Sequence, residues 1–167
     1  MIPVHFSLGV IGLGRMAQAL VFPLIEQQKF SPEQIFALVG QKASVDCIRK
    51  DLPHGLELVA SDDPRAEEVW RIPIQILAVK PQQLDLVAAK FEPSKLNAKK
   101  PKPLLISLLA GVTIQRLQAS FPFHACVRAV PNTPALVGAG LTGLAWGRDV
   151  DLGQRHIVQT LFQPISE

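Results

Sequence analysis

Leu8-Gly9-Val10-Ile11-Gly12-Leu13-Gly14-Arg15-Met16-Ala17 is the stretch whose reading decides the fold. It reads as a short buried strand running straight into Gly-x-Gly-x-x-Ala and then into an apolar helix, the order a dinucleotide-binding loop requires. Gly12 permits the tight turn off the strand, and Gly14 lets backbone approach a pyrophosphate with no Cβ in the way. Ala17, in the third place, keeps the helix close to the strand. The free N–H groups and positive dipole end of that helix then face the phosphates. Glycines at this spacing also mark ordinary turns, but placement at the first strand–helix junction favours the nucleotide loop.

Outward from this junction, apolar runs alternate with helical patterns. Strands are expected at His5–Ile11, Gln34–Val39, Gly55–Val59, Pro73–Val79, Leu104–Leu108, His124–Val130 and Leu141–Trp146. Several are continuously apolar, as in Ile74-Gln75-Ile76-Leu77-Ala78-Val79, which marks parallel strands covered on both faces. Helices or helical turns are expected at Met16–Gln28, Ala43–Asp51, Ala66–Trp70, Gln82–Phe91 and Ile114–Ser120, with Thr113 as an N-cap. This alternation predicts an α/β fold, a Rossmann-like doubly wound, mostly parallel sheet with helices on both faces. Residues 1–150 are expected to form the NAD(P)-binding domain. Asp151–Phe162 reads as a terminal amphipathic helix with Leu152, Ile157, Val158, Leu161 and Phe162 apolar. Over 151–167 it is expected to lead toward a helical domain absent from this sequence, against which its apolar face would pack.

The chain has 167 residues, 48% of them hydrophobic, enough for one core. No apolar run reaches the roughly 18 residues of a membrane span, and the first residues lack a signal-peptide pattern. Cys47 and Cys126 lie far apart without ligand-spaced neighbours, so reduced, buried thiols are expected rather than a disulfide or zinc site. The four histidines, His5, His54, His124 and His156, are dispersed, and no metal site is expected. A cytoplasmic location follows. The net charge of +3 owes much to the stretch Lys95–Lys102. Its prolines and lack of interleaved aromatics make it a solvated loop rather than a nucleic-acid site.

Four further segments carry candidate chemistry. The second strand ends in Gly40-Gln41-Lys42-Ala43-Ser44 with no carboxylate to accept from ribose hydroxyls. Gln41, Lys42, Ser44 and, a turn later, Arg49 could supply donors and positive charge, which favours NADPH over NADH. Val79-Lys80-Pro81 closes the fourth strand at the carboxyl edge, where ligands of open α/β sheets bind. Ala110-Gly111 makes a second turn of small residues that permits close backbone approach or simply a turn. In Arg128-Ala129-Val130-Pro131-Asn132-Thr133-Pro134, two prolines pin a stiff loop with exposed N–H groups. There Asn132 and Thr133 are candidates to orient a substrate and Asn132 to touch the cofactor. No paired-carboxylate or Ser–His–Asp arrangement follows from spacing.

Taken in order, Gly12-Leu13-Gly14-Arg15-Met16-Ala17, Val79-Lys80-Pro81-Gln82, Ser107-Leu108-Leu109-Ala110-Gly111-Val112 and Arg128–Pro134 resemble the signature segments of the Δ1-pyrroline-5-carboxylate reductases. The resemblance covers essentially the whole chain but only the amino-terminal half of the family's length. It implies NADPH-dependent reduction of a small cyclic imine, pyrroline-5-carboxylate, to proline, with no metal, nucleic-acid or membrane partner. It also implies a homodimer formed through a second, helical domain bearing a Gly-Ser-Gly-Pro-Ala-type segment, which this sequence lacks. Arg15 stands where Asn or Lys is usual, and Val130 where Met is common. Arg15 adds a phosphate contact or is a solvated first-turn arginine. Two alternatives stay open: a related Rossmann hydride transferase acting on another substrate such as a deazaflavin, and a stand-alone NADP-binding module without catalysis.

Overall fold

A computed structural model describes residues 7–95 and 101–166. Its strands are β1 (Leu8–Ile11), β2 (Ile35–Val39), β3 (Glu57–Ala60), β4 (Ile74–Leu77), β5 (Leu104–Ser107), β6 (Ala125–Pro131) and β7 (Thr142–Trp146). They form one sheet in the order β3-β2-β1-β4-β5-β6-β7, parallel from β3 through β6, with β7 antiparallel at the edge. The fold is therefore the expected doubly wound, Rossmann-like one. The His5 end of the first strand and most of the Lys95–Lys102 stretch lie outside the described residues. Among those described, no helix is long and apolar enough to cross a membrane.

Alternation along each strand splits the core in two. Ile35, Ala37 and Val39 of β2 face one layer while Phe36 and Leu38 face the other, as a period of two demands. On the first side lies α1 (Arg15–Glu26), whose buried Ala17, Leu20, Val21 and Leu24 recur at helical spacing. Beside it are α2 (Lys42–Ile48), which continues into a 3₁₀ turn at Arg49–Asp51, and α5 (Leu152–Phe162). The other side carries a 3₁₀ helix at Pro64–Arg71, then α3 (Leu84–Ala89) and α4 (Ile114–Ser120). Thr113 caps α4 as expected, its hydroxyl accepting from Arg116 N–H at 3.2 Å.

Two expectations need correction. Val158, Leu161 and Phe162 of α5 are buried in the same core as α1 and β6, and Arg155 stacks over the Trp146 ring at 5.3 Å. A boundary at residue 150 thus cuts through one hydrophobic core. Of that helix's large apolar residues, only Leu152, 82% exposed, and Ile157, 37% exposed, face outward. The stretch after Pro131 is not a bare loop either: Thr133–Val137 is a 3₁₀ helix that ends at Gly138 in the left-handed region.

Two residues under the sheet's ends set its tolerance to change. Gly12 has φ +93°, and a Cβ there would lie 2.8 Å from the Ala78 carbonyl oxygen and 2.9 Å from Val79 N. The turn leaving β1 is wedged against the turn leaving β4, and only glycine fits. At the opposite end, His124 is 2% exposed, ringed by Trp70, Phe91 and Phe121. Gln75 Nε2 donates to the Trp70 and Ile72 carbonyls at 3.2 and 2.9 Å, which leaves its Oε1 to face His124 Nε2 at 3.2 Å. That network assigns the proton to Nε2 and leaves Nδ1 buried without a partner. Burial, and secondarily the charge of Lys102, pulls the imidazole from 6.5 down to about 4.

Gly12→Ala is expected to cost at least about 2 kcal/mol in denaturant unfolding, whereas Gly14→Ser, a residue that caps helices, stays within about 0.5 kcal/mol. Equal effects would mean that the wedge at Gly12 is not needed. Between about pH 6.5 and 4, His124 binds its proton in the unfolded chain but not in the folded one. Acidification through the window from 6.5 toward 4 therefore removes up to about 3 kcal/mol of stability, and none of this contribution changes above it. Unfolding measured at a series of pH values should show a slope in that window that His124→Phe flattens.

Candidate functional site

The strand order doubles back at β1: β2 and β3 lie to one side, β4 to β6 to the other. The turns leaving β1 and β4 diverge there, opening a crevice at the carboxyl edge. Backbone bonds tie the turns in register across it. Gly12 N–H donates to Leu38 O at 2.9 Å, Ala78 N–H to Ile11 O at 2.8 Å and Leu108 N–H to Leu77 O at 2.8 Å. Every sequence-predicted site residue except Arg49 lies in one of the five turns along this edge or the helix that begins there.

The turn after β1 holds Gly12, Leu13, Gly14, Arg15, Met16 and Ala17. Leu13 and Ala17 are buried, and the Leu13 carbonyl accepts from Gln18 Nε2 at 3.0 Å. Gly14 is the N-cap of α1 and makes no side-chain capping bond, and the first turn of the helix carries no acid. A Cβ built on Gly14 meets nothing within 4 Å. The cradle is open where phosphate would approach, and the first-turn N–H groups have no side chain competing for them. Arg15 is exposed at the mouth.

After β2, Gly40 also opens on empty space. Gln41 and Lys42 are exposed and Ser44 is half-buried, its N–H donating to Gln41 O at 3.0 Å. Arg49 is not part of this group: its Nη2 donates to Leu58 O at 2.9 Å, which holds it against β3. The turn after β4 presents Val79, half-buried, and exposed Lys80, whose N–H donates to Gln83 Oε1 at 3.2 Å. Pro81 begins the 3₁₀ turn Pro81–Gln83 that follows. After β5, exposed Ala110 and Gly111 offer nearly bare backbone, Gly111 at φ +71° with nothing within 4 Å of a Cβ.

Asn132 and Thr133 are exposed at the end of β6. The expectation of free N–H groups here fails at Asn132. Its N–H donates to Leu141 O at 3.1 Å, and its Oδ1 accepts from Leu141 N–H at 2.9 Å. This pairing fixes the return toward β7 and leaves Nδ2 as the side chain's donor.

The five turns contain three cations (Arg15, Lys42 and Lys80) and no histidine, cysteine or carboxylate. They can hold an extended anion and orient a neutral or anionic partner, but they offer no side-chain general base. Sequence reasoning missed the sixth turn, Ser61-Asp62-Asp63 after β3. Ser61 Oγ donates to Gly40 O at 3.0 Å, so this turn borders the same opening. The signal was the third strand itself, since every parallel strand delivers its turn to one edge. A groove of about 510 Å³ along α4, lined in part by Gln115, Gln118, Trp146 and Arg148, contains none of these residues.

Curated relatives are similar over almost the whole chain. Over 160 residues the chain is 39% identical to a pyrroline-5-carboxylate reductase of Synechocystis, covering 96% of this chain and 56% of that protein. It is 34% identical to the Pasteurella multocida protein of the same name, again over 96% and 56%. The chain thus spans just over half the length of these relatives. The solved pyrroline-5-carboxylate reductase of Coxiella burnetii superimposes with a TM-score of 0.80 at 28% identity, over 97% of this chain and 57% of that one. The Plasmodium falciparum pyrroline carboxylate reductase with NADP bound gives 0.75 at 26%, over 98% and 56%. Residues 7–111 match the model of the family described as NADP oxidoreductase, coenzyme F420-dependent, and the chain belongs to that family.

Proposed function

We propose that this chain is the cofactor-binding portion of an NADPH-dependent pyrroline-5-carboxylate reductase. The observation that carries the reading is the open cradle at Gly14, set on the unopposed N-terminus of α1. When bound, the nicotinamide supplies a hydride to the C=N carbon of the imine, whose nitrogen keeps its proton, giving proline and oxidised cofactor. The chain's residues bind and orient. Gly12 to Ala17 would receive the pyrophosphate on backbone N–H groups, and Gln41, Lys42 and Ser44 the 2′-phosphate end. Val79, Lys80 and Pro81 would border the crevice. Ala110 and Gly111 would allow the nicotinamide side to sit against bare backbone. Asn132 Nδ2 and the Thr133 hydroxyl would hold the reactants in line.

The family's description also names coenzyme F420, a deazaflavin, which is the second reading. The run Val130-Pro131-Asn132-Thr133-Pro134 and the naming of the similar curated relatives favour the imine. A helical domain of the kind the resemblance implies would supply the opposite wall of the substrate pocket and the homodimer contact. We place the protein in the cytoplasm, where the thiol of Cys47, exposed and not buried as expected while Cys126 is buried, stays reduced.

Calorimetric titration should give tighter binding of NADPH than of NADH. Lys42→Glu should weaken NADPH by about 1–3 kcal/mol, and Gly14→Val should abolish binding in a folded protein. Equal affinities for both nucleotides would contradict the assignment of the 2′-phosphate end. With pyrroline-5-carboxylate present, this chain alone should oxidise NADPH far below about 1 per second, the low end of ordinary turnover. Ordinary turnover would show that these turns alone form a complete site.

A further inference from the structure

The turn after β3 brings carboxylates to the edge that the cofactor reading needs positive. Ser61 N–H donates to Val39 O at 2.8 Å and Ser61 Oγ to Gly40 O at 3.0 Å, pinning Ser61-Asp62-Asp63 beside the opening at Gly40. Asp63 is paired locally with Arg65, which it shares with Glu57 at 2.8 Å from Arg65 Nη1. Its Oδ1 accepts from Arg65 N–H at 2.8 Å and from Arg65 Nε at 3.3 Å, and the backbone bond first of all holds it below the usual carboxylate range. Asp62 is exposed at the turn. A carboxylate in the turn next to the second strand's end repels a 2′-phosphate through space, so Asp62 opposes NADP unless a cation offsets it.

The structure provides one from a distant part of the chain. Lys90 follows α3, and its Nζ donates to the Ser61 carbonyl at 3.4 Å, across 29 residues. That carbonyl belongs to the peptide joining Ser61 to Asp62. We propose that Lys90 is a specificity-determining residue: its ammonium on the Ser61–Asp62 turn offsets Asp62 and, with Lys42, makes the opening beside Gly40 accept a 2′-phosphate. A compact charge on a flexible four-carbon stem suits this, because it acts by field rather than by fixed geometry. The inference rests on the cofactor reading and extends it to a residue outside the strand-end turns.

The test is calorimetric titration of NADPH and NADH into the unmodified chain, Lys90→Gln and the double variant Lys90→Gln with Asp62→Asn. Lys90→Gln should weaken NADPH about three- to tenfold while leaving NADH within about twofold, and the loss should shrink at high salt. Adding Asp62→Asn should recover most of the NADPH affinity. If Lys90→Gln leaves NADPH binding intact while the unmodified chain prefers NADPH, the inference fails and the cofactor reading stands. A parallel loss for both nucleotides would make Lys90 a structural support of the turn and also overturn it. If the unmodified chain binds neither nucleotide, the cofactor reading fails and the inference with it.

Discussion

The contact between Gly12 and the backbone of Ala78 and Val79 is the constraint on which the rest depends. Strand β1 has β2 on one flank and β4 on the other, and the chain must leave both β1 and β4 at the same edge. With 2.8 Å from a would-be Cβ of Gly12 to the Ala78 oxygen, the two turns touch at their roots. They separate only farther out, at Gly14 and Lys80. The crevice is a consequence of that geometry, and the helix whose N-terminus points into it is held by Ala17, Leu20, Val21 and Leu24 in the core.

What the edge lacks is as informative as what it holds. Five of its six strand-end turns are basic, rich in backbone donors and free of histidine, cysteine and carboxylate, the turn after β3 alone bringing Asp62 and Asp63, while the buried titratable residues sit elsewhere. His124 is at the opposite end of the sheet. The Cys126 thiol, pushed up to about 12 by burial, faces the Phe121 and His124 carbonyls. Chemistry at such an edge relies on a bound group and on positioning, which is consistent with hydride transfer to a carbon that protonation has already made electrophilic.

Most of the sheet was legible in the sequence because parallel strands covered on both faces are continuously apolar, and Ile74 to Leu77 or Ile35 to Val39 could hardly be anything else. The glycine loop and the Thr113 cap were legible because each rests on local geometry. Contacts between distant residues were not. Asn132 read as a free polar side chain, yet its Oδ1 is bound to Leu141, nine residues on. Arg49 read as a phosphate donor but is satisfied by β3. The apolar face of α5 read as waiting for other helices, whereas the sheet itself buries Val158, Leu161 and Phe162. Lys90 gave no signal at all, since its meaning comes only from Ser61. In each case a tertiary partner, invisible to periodicity, decided the outcome.

Amide shift mapping of the labelled chain during NADPH addition tests the central claim most directly. The largest perturbations should fall on Gly12–Ala17, on Gly40–Ser44, on Val79 and Lys80 and on Ala110 and Gly111, with the His124 end of the sheet unmoved. Perturbations centred instead on α4, Trp146 and Arg148, around the groove of about 510 Å³, would contradict it.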